Sequence, residues 1–273
     1  MVDHDLRYRL GSGFGGATIE EGIAWGAEHG FHQTDFNADH GANALGKWPA
    51  ERVRAFRELV ERTDMHFGLH TLSAVNVAEF SPHVSEGVDA YLTAYTDLAR
   101  ELGAERVIIH AGLHQSSELP QRERASLERL QRATAYAETQ GVTLLLENLN
   151  WEPDDAEMHY MGWSIEQLQG YFGAIQSPNL QWSFSANHAH LTPQDFDGYL
   201  DALGIGRIGQ VLMADCRGTI EEHLVPGEGT LDFGRLFRRL EGDGYRGPYS
   251  MTFGNREQKL WAREYLLKKA GVA

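Results

Sequence analysis

The chain has 273 residues and carries 39 acidic against 24 basic side chains, a formal charge of −15. That balance repels polyanions and leaves no basic stripe for a phosphate backbone, so nucleic acid is not expected as a partner. The one cysteine, Cys216, excludes an internal disulfide framework. With no signal segment and no apolar run of roughly 18 residues, the chain reads as soluble, cytoplasmic and without a membrane partner.

Eight short apolar runs bounded by turn residues follow one another: "LRYRLG" at 6–11, "FHQTDF" at 31–36, "HFGLH" at 66–70, "ERVIIH" at 105–110, "VTLLLE" at 142–147, "LQWSFS" at 180–185, "IGQVLMAD" at 208–215 and "GPYSMTF" at 247–253. Each reads as a strand. Between and after them lie segments of helical periodicity at 18–29, 49–62, 121–140, 164–175, 193–203, 231–240 and 255–268. The clearest is the face of Val84, Val88, Leu92, Tyr95, Leu98 and Leu102, spaced three or four apart. No linker or low-complexity stretch divides the chain. Strand and helix alternate eight times, which predicts parallel strands joined by helical crossovers, a single (β/α)8 TIM barrel over 1–273.

"GSGFGG" at 11–16 satisfies the glycine pattern of a dinucleotide-binding turn, and Asp35 lies near the distance of its ribose carboxylate. The preceding run holds two arginines, too polar for the central strand of a doubly wound sheet. The glycines are therefore read as a loop at the barrel mouth, and no nucleotide cofactor is expected.

In such a barrel the C-terminal ends of all strands face one bowl, so polar residues placed there converge. His70 ends the third strand, His110 the fourth and Glu147 the fifth. His188 follows the sixth, Asp215 and Arg217 the seventh, and Glu221 and His223 lie in the loop beyond. Glu147 stands out, because a carboxylate directly after "VTLLL" is half-buried and needs a cation or strong donors to stay charged. Two imidazoles and that carboxylate, His70, His110 and Glu147, suit a divalent cation such as Zn or Mn. The alternative is a bowl without metal, in which the same groups do acid and base work directly. Arg217 suits a clamp on a substrate's hydroxyls, carboxylate or phosphate. Trp151 and Trp163 flank the long segment "LNWEPDDAEMHYMGW" at 149–163 and suit stacking on a sugar ring. In "HLVPGEGTLDFGRLF", 223–237, two glycines around Glu228 suggest backbone amides turned into the bowl.

These residues resemble a known group, the xylose isomerase-like barrels of sugar isomerases, ketose 3-epimerases and the endonuclease IV branch. "LHTLSAVN" is similar to the family's third strand end, "VIIHAGLH" to the fourth, "LLLEN" to the fifth and "SANHAHL" to the sixth. "LMADCRG" and "EEHLVPGEG" resemble the seventh strand and its loop, and "GPYSMTF" the eighth strand. The resemblance implies a small carbohydrate substrate and proton transfer next to a carbonyl. Taken with the residues of the bowl, the expected catalytic groups are Glu147, His188 and His223, with His70, His110, Asp215, Arg217 and Trp151 binding substrate. A lyase or hydrolase of a sugar derivative and a non-catalytic sugar-binding barrel are the rivals, and a homo-oligomer is left open. The family's isomerases and epimerases hold one divalent ion with glutamate, aspartate, histidine and glutamate from strands five to eight. Those positions read here Glu147, Ser185, Leu212 and Thr252. Only the first is an ionic ligand, so the resemblance implies a largely lost ion site and no second glutamate for a two-base epimerisation. The endonuclease-like positions persist as His70, His110 and Glu147 in one cluster and His188, Glu221 and His223 in another.

Overall fold

The computed structural model describes residues 3–115 and 117–272. The chain opens with helix α1 (Asp3–Arg9), then β1 (Leu10–Ser12), α2 (Ile19–Glu28), β2 (Gln33–Phe36), α3 (Ala50–Thr63), β3 (His66–His70), α4 (Pro82–Leu102) and β4 (Arg106–Ile109). After β4 come a two-residue strand β5 (Leu113–His114), α5 (Leu119–Gln140), β6 (Leu144–Glu147) and a second two-residue strand β7 (His159–Tyr160). The remainder is α6 (Ile165–Ala174), β8 (Leu180–Ser185), α7 (Ala186–His190), α8 (Asp195–Leu203), β9 (Ile208–Leu212), α9 (Phe233–Gly242), β10 (Tyr249–Met251) and α10 (Arg256–Lys269).

One sheet contains eight parallel strands in the order β1-β10-β9-β8-β6-β4-β3-β2, so its two end strands are neighbours in sequence and the sheet curls into a barrel. At the remaining seam the Thr34 hydroxyl donates to the Ser12 carbonyl at 2.9 Å. Gly11 is required there, because a Cβ on it would lie 2.3 Å from Cβ of Gln33. This closed order is not the open, doubly wound sheet to which the glycine pattern belongs, and Gly15 and Gly16, both with positive φ, lie in the loop between β1 and α2. Asp35 turns inward instead, where Arg106 Nη2 meets its Oδ1 at 3.1 Å and the Gln210 amide donates to its other oxygen. β2, β4 and β9 thus share a neutralised polar layer beneath the bowl.

Helix starts follow local chemistry. The side chains of Thr18, Ser164, Asp232 and Asn255 each accept the backbone N–H three residues on, and Asn255 with Gln258 forms a reciprocal capping box. Apolar stripes then bury inward, as with Phe233, Leu236, Phe237 and Leu240 of α9. One expected strand is corrected: residues 6–9 of "LRYRLG" are helical. Leu6 and Leu10 are both fully buried, and their spacing of four matches one helix face as well as it matches alternation. Arg7 and Arg9 reach Glu264 and Glu241 from that helix. On α4, Val84 is exposed while the rest of its predicted face is buried or lines the packed side.

Candidate active site

Glu147 is the last residue of β6 and is 4% exposed. Its hydrophobic strand drives it to the barrel top, and the neighbouring strands supply its partners. His70, from the end of β3, places Nε2 at 3.3 Å from Glu147 Oε2, and His110, just beyond β4, places Nε2 at 3.4 Å from the same oxygen. The two Nε2 atoms are 3.2 Å apart. On the other carboxylate oxygen sits His188 of α7, with Nδ1 at 3.4 Å from Oε1. Three imidazoles therefore surround one buried carboxylate. Burial opposes its charge, yet hydrogen bonds from His110 and His70 and the charges of His70 and His188 hold its carboxyl well below the usual range.

His188 links this group to a second one. Its Nδ1–H donates to the Asn148 carbonyl at 2.8 Å, which turns Nε2 toward Glu221 Oε1 at 3.3 Å. Despite burial, the Glu221 hydrogen bond and the charges of Glu221 and Glu147 push the imidazole up to about 9, so it is protonated at neutral pH. Burial disfavours the charge on Glu221 as well, but His188 and His223 outweigh it and lower the carboxyl to about 2. His223 Nε2 lies 2.9 Å from Glu221 Oε1, and its ring packs on Phe253 at 4.0 Å between centroids. His110 is driven the other way, below the ordinary imidazole range, because complete burial outweighs the help of Glu147.

Two sets of three donor atoms lie within 4.8 Å of one another, His70–His110–Glu147 and His188–Glu221–His223. In the first set the edges of 3.2, 3.3 and 3.4 Å match the edge of about 3.3 Å that a tetrahedral ion with bonds of about 2.0–2.1 Å requires. These residues fit a divalent cation. The positions Ser185, Leu212 and Thr252 open onto the same cavity as Glu147. Their side chains are neutral.

The cavity above these groups encloses about 360 Å³. Its upper wall comes from the long segment after Asn150, which the sequence leaves as an irregular break. There β7 pairs antiparallel with β5, setting Leu113 opposite Tyr160 and His114 opposite His159, and this ribbon brings Tyr160 and Met158 to the cavity. Asn148 is the hidden organiser of the wall: its amide oxygen accepts from the Trp182 indole and the Ser185 N–H, and its amide nitrogen donates to the Ser185 carbonyl.

Four expected substrate contacts fall elsewhere. Asp215 is 1% exposed and does not face the cavity; its carboxylate accepts the N–H groups of Cys216, Gly227, Gly229 and Leu231 at 2.9–3.1 Å. The loop's amides therefore turn onto Asp215 and not into the bowl, and Gly229 is needed because a Cβ would lie 2.4 Å from Asp215 Oδ1. Arg217 has a side chain 58% exposed that pairs with Glu222, away from the cavity lining. Trp151 and Trp163 do not line the cavity either, since the ribbon presents Tyr160 and Met158 instead. Sequence reasoning passed over Asn148, Tyr160, Phe253 and Asn187, whose side-chain amide donates to Glu221 at 3.3 Å; of these Asn148, immediately after Glu147, was the most accessible to it.

The family profile described as the xylose isomerase-like TIM barrel matches residues 23–269, and the chain belongs to that family. An uncharacterized protein of Methanocaldococcus jannaschii is 26% identical over 249 residues, covering 88% of this chain and 80% of the relative. Among solved structures, a D-tagatose 3-epimerase-like protein superposes with a TM-score of 0.83 at 23% identity, covering 96% of this chain and 97% of the other. The 3-keto-D-glucoside 4-epimerase of E. coli superposes with a TM-score of 0.77 at 16% identity, covering 97% and 99%. At these identities the likeness to the two structures is one of fold. Among the described residues no helix is long and apolar enough to cross a membrane.

Proposed function

We propose that this member of the xylose isomerase-like TIM barrel family is an isomerase or epimerase of a small carbohydrate, moving a proton at the carbon next to a carbonyl. The observation that carries the reading is the buried, ionised Glu147 held among His70, His110 and His188 at the floor of a cavity. The family and the epimerase names of its structural likenesses support the substrate class.

The residues divide the work by protonation. His188 carries its proton on the side facing Glu221 and can donate it to a carbonyl oxygen that becomes an enediol hydroxyl. Its Nδ1–H is engaged by Asn148, so the ring is oriented before substrate arrives. His223 is half-exposed and in contact with Glu221, which suits exchange of that proton with solvent. Glu147 anchors the positive charge of His188 and lies where it can accept a proton from substrate carbon. His70, His110 and Glu147 would hold a Zn or Mn ion, which when bound supplies Lewis-acid polarisation of a substrate oxygen. Thr252 has no acid or base capacity near neutral pH, so a symmetric two-glutamate exchange is not part of this reading.

The test is product analysis by chromatography on free ketoses and aldoses and on their glycosides, with Zn or Mn supplied and with both chelated. Conversion of one carbohydrate into an isomer is expected. Absence of conversion with every sugar under both conditions contradicts the proposal.

A further inference from the structure

The bowl has a second hollow. It lies over the β10, β1, β2 and β3 side of the barrel, encloses about 280 Å³, and meets the first along His70, Ser73, His110, Leu212 and Thr252. The shared boundary includes Leu212 and Thr252, two of the positions at which the resemblance implies ion ligands. Leu212 and Thr252 are neutral, so on their side of the boundary, opposite His70 and His110, no ionised side chain stands between the two hollows.

The chemistry of the second hollow is specific. Ser250 and Thr252 at its β10 side and Ser73 on the loop after β3 have hydroxyls with no hydrogen-bond partner among the described residues, so all three are available to a hydroxylated ligand. The carboxylate in its floor, Asp35, is already neutralised by Arg106 and Gln210. Among the described residues no lysine or arginine lines either hollow. Beyond its boundary with the first hollow, where His70 and His110 stand, the second hollow is lined by no cationic side chain among the described residues, so a phosphate or carboxylate there would be desolvated without an adjacent counter-charge, which is costly. Leu72 and Phe36 add an apolar wall, suited to the C–H face of a sugar ring. Each hollow alone sits near or below the lower end of ligand pockets, roughly 300–1,000 Å³, and the two together lie within that range.

We infer that the second hollow is a subsite for a second, uncharged sugar ring, so that the substrate is a neutral glycoside or disaccharide and not a free monosaccharide or sugar phosphate. The inference rests on the carbohydrate reading above and adds the size and charge of the substrate to it.

Isothermal titration of the full-length protein separates the two. The probes are D-fructose and D-tagatose, the ketose disaccharides turanose, isomaltulose and lactulose, and D-fructose 6-phosphate. At least one disaccharide should bind about tenfold or more tighter than either monosaccharide, a difference of about 1.4 kcal/mol, and the phosphate ester should bind more weakly than fructose. Leu72→Trp, at an exposed rim position of the second hollow alone, should erase the disaccharide advantage while changing monosaccharide affinity by less than about twofold. Ser250→Val should reduce the same advantage, a second variant in case the tryptophan perturbs the loop. Equal binding of one-ring and two-ring sugars, or an advantage untouched by both variants, overturns the subsite and leaves the carbohydrate reading standing. No binding of any of these sugars overturns both.

Discussion

Glu147 and Asp215 invite comparison. Both are buried carboxylates that follow an apolar strand of the same barrel, and both sit in sequence contexts that suggest chemistry. What differs is the donor. Glu147 is surrounded by imidazoles, groups that give and take protons near neutral pH and can ligate a cation. Asp215 is surrounded by four peptide N–H groups, which do neither. The first arrangement leaves a carboxylate among titratable partners facing a cavity; the second winds the loop from Cys216 to Leu231 around a fixed anion. A buried acid at a barrel mouth is therefore assigned by its partners rather than by its position.

The comparison can be broken most sharply at Glu147. Glu147→Gln keeps the shape and removes the charge, and turnover should fall by about 10²- to 10⁴-fold, the range of a lost acid or base group. The midpoint of thermal unfolding should move far less than that loss suggests, which calorimetry checks. Metal content offers the next largest effect. Protein purified without chelator should carry close to one Zn or Mn per chain by elemental analysis, and His110→Ala should lose it, because a secure ion needs at least three of these donors.

Asp215 should behave in the opposite way. Asp215→Asn places an NH₂ group against peptide N–H donors, and the loss of buried charge-assisted hydrogen bonds should cost about 1–3 kcal/mol. For a chain of this size that corresponds to a fall of several degrees in the unfolding midpoint, at about 2–4 °C per kcal/mol. Activity per folded molecule, measured well below the transition, should stay within a few-fold of the parent. The smallest effect is expected at Arg217. Its exposed pair with Glu222 is worth at most about 1 kcal/mol, and Arg217→Ala should leave the Michaelis constant unchanged within error.

Much of the scaffold was legible before any coordinates. Eight apolar runs and their helical spacers gave the barrel, because β-α alternation leaves few other closed arrangements. The convergence of His70, His110, Glu147, His188, Glu221 and His223 was legible too, since strand ends of a barrel must face one bowl. The failures have physical reasons. Leu6 and Leu10 satisfy both a strand and a helix, and the ion pairs that settle the matter lie more than 200 residues away. Asp215 and Arg217 looked like site residues because sequence shows where a side chain starts and not which donors reach it. The glycines at 227 and 229 were the available clue, because tightly spaced glycines let amides crowd around an anion. Trp151 and Trp163 were singled out because they flank the long loop, whereas a two-residue ribbon too short to announce itself decides that Tyr160 turns inward.

Solvent isotope exchange bears most directly on the role assigned to Glu147. With a converted sugar in D₂O, the wild-type protein should place deuterium on the carbon next to the carbonyl, read by proton NMR, and the Glu147→Gln variant should place almost none over the same period. Exchange by the variant at the wild-type rate, or conversion by the wild type without any deuterium in the product, would contradict proton transfer at Glu147.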